Sequence, residues 1–169
     1  MNRVLQVHDR VSLPEVIEAL LPKARDLSWS VLDLNEVVPA KGWDLRIPFR
    51  EPRVAESPTG WQLSLDELVA FGEWARQIID GLFVACTSAE RFPVRSDSDA
   101  TILERADMLV AAIDSTFWLV SASDEVLARV ERTFDDAREV DPAAIRLSIW
   151  SRDYGPEGPR LMPLQIDVP

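Results

Sequence analysis

Carboxylates are the side chains this sequence offers in quantity: 29 Asp and Glu against 18 Lys and Arg, with a single His and a single Cys. Asp97 and Asp99 flank Ser98, a spacing from which two carboxylates can begin to hold Mg²⁺ or Ca²⁺, although the glycine and the remaining oxygen ligands of a calcium loop are missing. Asp114 falls between two apolar stretches, where a shielded carboxyl could act as an acid with a raised pKa; an Asx turn explains it equally well. His8 is the one side chain whose ordinary pKa suits proton transfer near neutrality, and it lies in a stretch that reads as a terminal strand. Cys86 closes the most apolar run of the chain, where a thiol is inert packing more often than a nucleophile.

Other chemistries are excluded by what the sequence lacks. It contains no Gly-x-Gly-x-x-Gly, no Gly-x-x-x-x-Gly-Lys-Ser/Thr and no Gly-x-Ser-x-Gly, so phosphate cradles and a nucleophile elbow are missing. One Cys and one His cannot complete a tetrahedral zinc site, and no cofactor is expected. A net charge of −11 repels phosphate backbones, and no window clusters Lys and Arg, so nucleic acid is not an expected partner. The longest apolar runs, 82–86 and 108–113, are far below the roughly 20 residues that span a bilayer. The N-terminal stretch, broken by Gln6 and His8, has no continuous apolar core of a signal peptide, and the expected location is cytoplasmic.

The elements that must position these groups are legible from capping and periodicity. Ser12-Leu13-Pro14-Glu15 is a capping box that opens a helix with Leu13, Val16, Ile17 and Leu20 on one face, stopped by Pro22. Residues 27–34 begin with the alternation of a strand. Residues 39–60 hold four prolines, Trp43 and the cations Lys41, Arg46, Arg50 and Arg53, and include a candidate edge strand around Leu45, Ile47 and Phe49. A second capping box at Ser64–Glu67 opens a helix expected to reach Ile79 and to end at Gly81. Leu82–Cys86, apolar without alternation, predicts a central strand. Residues 108–120 predict two strands around an Asp114-Ser115 turn, 123–137 a third amphipathic helix, and Ile145, Leu147 and Ile149 a last strand. The sum is one α+β domain over 1–169: a mixed, mostly antiparallel sheet with about three helices in a single layer, and a Pro/Gly-rich extended tail over 152–169.

Charge is uneven along this frame. Between residues 97 and 141, twelve carboxylates against four arginines leave −8. Glu125 with Arg129, and Arg132 with Asp136, are spaced to neutralise each other on a helix, whereas Asp97, Asp99, Asp107, Asp135 and Glu139 have no such local partner and could steer a basic protein. Together with Asp114 and the aromatics Trp118 and Tyr154, they form the expected partner-binding set.

The stretch 108–120 with its Asp114-Ser115 turn, followed by Ser123-Asp124-Glu125 and the Val126/Leu127/Val130/Phe134 stripe, resembles small acidic bacterial immunity proteins of polymorphic toxin systems over residues 107–136. The resemblance implies a non-enzymatic module that neutralises a cognate toxin by binding it. Two alternatives stand beside it: an acidic secretion chaperone for an effector, and a small carboxylate-dependent enzyme built on Asp114 or on Asp97 and Asp99.

Overall fold

The computed structural model describes residues 3–8, 10–39, 54 and 57–147. The elements are β1 (Val4–His8), α1 (Leu13–Ala19), β2 (Ser28–Pro39), β3 (Trp61–Leu63), α2 (Leu65–Trp74), β4 (Ala75–Cys86), α3 (Asp99–Arg105), β5 (Met108–Ile113), β6 (Phe117–Ser121), α4 (Asp124–Thr133) and β7 (Arg138–Val140). The seven described strands form one sheet in the order β3-β2-β4-β5-β6-β1-β7, and every pairing among them is antiparallel. The architecture is α+β, as the periodicity predicts.

β4 is the centre because its second half is apolar on both faces. Phe83 and Ala85 point into one core with Val31, Val110 and Val120; Leu82, Val84 and Cys86 point into the other with Leu109, Ala111 and Leu119. All five residues from Leu82 to Cys86 are at most 1% exposed. A strand buried on both sides needs cover on both sides, since its main chain is satisfied within the sheet while each apolar face still has to leave water. On the first face α1, α2 and α4 supply that cover through Val16 and Ile17, Leu68, and Val126, Leu127 and Val130. On the second face it comes from Ile102 and Leu103 of α3 with Phe92, Ile145 and Leu147. The expected single layer of helices therefore describes the first face, and a short fourth helix lies against the other.

α1 and α2 start at their capping boxes. The Ser12 amide and hydroxyl donate to Glu15 Oε2 at 2.7 and 2.6 Å, and Ser64 makes the same pair of bonds to Glu67 Oε2 at 2.8 and 2.9 Å. The Ser12 hydroxyl, then its amide, holds the Glu15 carboxyl below its ordinary pKa of 4.5. α2 stops at Trp74, five residues before the expected end, because Ala75–Asp80 is drawn into β4 by pairing with β2, which itself runs on to Pro39. The β-branched pair Ile78-Ile79 favours that choice. Gly81 is then a strand residue, and a Cβ there would stand 3.0 Å from Ile78 and Phe83 side-chain atoms.

Three further expectations change. α3, capped by Ser98 accepting from the Thr101 amide at 3.2 Å, occupies a stretch in which the periodicity predicts no element. α4 ends at Thr133, and Arg138–Val140 pairs with β1 as an edge strand where helix was expected to reach 137. Ile145 and Leu147 follow a 3₁₀ turn over Pro142–Ala144 and are buried in the second core without strand pairing. Ile149, the candidate strand around 45–49 and the 152–169 tail lie outside the described residues.

Gly60 is the tightest point of the frame. Its φ is +80°, and a Cβ would sit 2.2 Å from the Val31 carbonyl oxygen, so the chain can enter β3 beside β2 only through a residue without a side chain. Gly60→Ala is expected to cost about 2–4 kcal/mol in urea unfolding with an unchanged m-value; a loss below about 1 kcal/mol would contradict this close approach. A second prediction concerns acid. Because the folded Glu15 pKa is depressed, its contribution is complete above the ordinary value of 4.5 and is lost as pH falls through the folded value. Ser12→Ala should therefore lower stability at neutral pH and flatten its decline between roughly pH 5 and pH 3, read by urea midpoints across that range.

Candidate functional site

The carboxylates singled out by sequence do not share one patch. Asp107 precedes β5, at the end of the sheet where β4 leaves at Cys86; its two oxygens take the Arg91 guanidinium at 3.1 and 3.0 Å, and Oδ2 accepts from the Thr87 amide at 2.7 Å. Asp97 accepts from the Val94 amide at 3.0 Å and meets Arg105 at 3.3 Å, while Asp99 accepts from the Leu147 amide at 3.3 Å. Asp114 lies at the opposite end of β5, seven residues on from Asp107 and about 23 Å away at the rise of a strand. Asp97, Asp99 and Asp107 hold loops and the segment at Leu147 in place.

Asp114 is a turn residue. Asp114 and Ser115 have φ of 49° and 52°, and the Thr116 amide donates to the Ile113 carbonyl at 2.9 Å, which makes a tight two-residue hairpin turn without glycine. The first half of β4, the arm Ala75–Asp80, holds that strained pair: the Asp114 amide donates to Asp80 Oδ1 and the Ser115 amide to the Ile79 carbonyl, both at 2.8 Å. A turn role for Asp114 matches this geometry better than a shielded acid, since its side chain is exposed and the local bond it accepts, from the Thr116 hydroxyl at 2.9 Å, goes to its main-chain carbonyl. Trp118 is 6% exposed and its indole N–H donates to the Val11 carbonyl at 2.7 Å, so it anchors the chain entering α1 and leaves only a small part of its ring open. Tyr154 lies outside the described residues.

The outer face of α4 is neutralised differently from the expected helix pairs. Among the described residues neither Glu125 with Arg129 nor Arg132 with Asp136 closes to an ion pair; instead Arg3, at the start of β1, reaches Asp124 at 3.7 Å, Glu131 at 2.8 Å and Glu139 at 2.9 Å. Hydrogen bonds that Arg3 donates to Glu139 first and Glu131 second raise the Arg3 pKa above its already high value. Asp136 accepts from the His8 amide at 3.3 Å, and Asp135 is exposed. The −8 of the linear segment is thus reduced in space by Arg3 and Arg91, brought in from elsewhere in the chain. Among the described residues no three His, Cys, Asp or Glu side chains gather as a metal site.

A surface the sequence reading passed over lies between α1 and α2. The helices touch where Gly72 meets Pro14, a Cβ at Gly72 coming within 2.7 Å of the proline Cδ. Beside that contact runs a groove of about 490 Å³ with Ile17, Leu21, Leu65 and Val69 along it. Glu18, Asp66 and Glu73 line it as exposed residues with no ion pair among the described residues, against one exposed cation, Arg25. The signal was present in α2, where Leu65 and Val69 form one i,i+4 row and Asp66, Ala70 and Glu73 the next, but the first row reads as core until α1 is placed beside it.

Cys86 settles as packing: it is fully buried, its thiol lies 3.7 Å from the Arg105 carbonyl, and burial pushes its pKa up. A thiol reagent such as a disulfide of thionitrobenzoate should react with the native protein only as fast as the protein opens, and rapidly in urea; fast stoichiometric reaction without denaturant would contradict this burial. No family model, curated protein or solved structure matches the chain.

Proposed function

We propose that the chain is a non-catalytic protein-binding module that takes a basic protein in the α1–α2 groove, and that it serves as an immunity protein which neutralises a cognate bacterial toxin by covering it. One observation carries the reading: a groove of about 490 Å³ combines partly buried apolar residues with three exposed carboxylates and a single arginine on its sides. Such a surface fits an apolar ridge flanked by Lys or Arg. Burial of apolar area on docking supplies the favourable term for affinity, while the acidic rim steers a positively charged partner and speeds its approach. The likeness to acidic immunity proteins supports the partner class, and the exposed acid at Asp135 adds to the field without being the contact.

Titration calorimetry and stopped-flow association against the product of the adjacent gene test this reading. The native chain is expected to bind with a dissociation constant below micromolar, at a rate that falls with salt. The double reversal Glu18→Lys with Glu73→Lys should slow association about tenfold or more, whereas Glu90→Lys with Glu104→Lys, away from the groove, should leave it within about twofold. Absence of binding by the native chain contradicts the proposed function; equal losses from both reversals contradict the groove as the contact.

A further inference from the structure

β4 has twelve residues and β5 has six, and the difference in length leaves a notch in the sheet. β5 pairs with β4 only from Gly81 to Ala85; from Ala75 to Asp80, β4 pairs with β2 alone. The Asp114-Ser115 turn closes over the junction through its bonds to Asp80 and Ile79, which stops β5 from continuing alongside. Below that closure the edge of β4 from Ala75 to Ile78 has no strand beside it among the described residues. It forms one wall of a cleft of about 260 Å³.

The other walls of this cleft are the chain entering α1 at Val11–Leu13 and the β5–β6 hairpin at Ala112, Ser115, Phe117 and Trp118. Leu13, Ile78 and Trp118 give it an apolar interior, with exposures of 2, 5 and 6%. Arg76 is the only charged residue lining it, exposed and without an ion pair among the described residues, in a chain of net charge −11. A concave apolar site along an open strand edge is the geometry of strand addition, in which main-chain bonds give affinity and adjoining pockets select side chains. The edge from Ala75 to Ile78 is about 13 Å long; the Ala75 amide is already bonded to the Phe71 carbonyl, so Arg76 to Ile78 are left to pair with two or three residues of an extended peptide.

We propose that this notch binds an extended peptide segment of a partner protein, laid against the β4 edge as an added strand, with an apolar side chain toward Trp118 and a carboxylate toward Arg76. The charge of the segment distinguishes it from the ligand of the α1–α2 groove: the groove's carboxylates select a cation, and the notch's lone guanidinium selects an acid. The site stands independently of the immunity reading, because it rests on strand lengths and the position of Arg76.

The test uses the ¹⁵N-labelled full chain and three blocked pentapeptides at millimolar concentration: Thr-Val-Glu-Val-Thr, the same peptide with Lys for Glu, and the same with Pro for its second Val. The first is expected to shift the amides of Arg76 to Ile78, Ser115 and the Trp118 indole, and to bind about tenfold more tightly than the Lys peptide. The Pro peptide, which cannot complete the strand pairing, should shift none of them. Arg76→Glu, an exposed change that leaves the core intact, should reverse the preference in favour of the Lys peptide. Shifts that are absent from these amides, equal for the Pro peptide, or unaltered in charge preference by Arg76→Glu would each overturn the proposal.

Discussion

The rest of the structure depends on the burial of β4 from Leu82 to Cys86 on both faces. A strand that is polar on one side can rest on water; this one cannot, and its two apolar faces recruit two separate cores. The first core fixes α1, α2 and α4 against the sheet, and so fixes the groove between α1 and α2. The second requires α3, Phe92 and the Ile145–Leu147 segment, all short elements with little stability of their own. Asp97, Asp99 and Asp107 then read as the polar clamps of that second layer, tying it to Arg105, the Leu147 amide and Arg91. Carboxylates that look like chemistry in a linear sequence are doing the work of positioning loops.

The first half of the same strand has the opposite character. Between Ala75 and Asp80, β4 leaves the shelter of β5 and is held by β2 alone, with the Asp114-Ser115 turn folded against its flank. Two left-handed residues in succession cost backbone strain in a turn that lacks glycine, and the bonds their amides donate to Asp80 and Ile79 offset that strain. One strand thereby gives the molecule a rigid centre and an open edge a few residues apart, and both proposed contact surfaces sit on elements anchored to the rigid part.

The fold class was legible where local signals agree with tertiary demand. Both capping boxes, the apolar run of β4 and the turn at Asp114 read directly from sequence because each is a short-range device. Ala75–Ile79 did not, because a helix-compatible stretch is pulled into the sheet by β2, forty residues earlier in the chain. α3 was hidden by brevity: seven residues give two turns, too few for a periodic stripe, and only its Ser98 cap announces it. The candidate site suffered most. Charge along the chain suggested a patch over 97–141, but Arg3 and Arg91 return to that surface through long-range pairing, and Trp118 is claimed by the core through its bond to Val11. The groove needed two helices whose relative placement depends on Gly72 lying against Pro14, which no single-helix pattern displays.

Native-state hydrogen exchange along β4, followed residue by residue by NMR, tests the division of this strand most directly. The account predicts that amides from Leu82 to Cys86 exchange only through global unfolding, with the free energy that urea unfolding gives, while those from Ala75 to Ile79 include members exchanging at least about a hundredfold faster through local opening at the free edge. Uniform protection across all twelve residues would contradict it, since it would mean that the arm is covered as thoroughly as the centre.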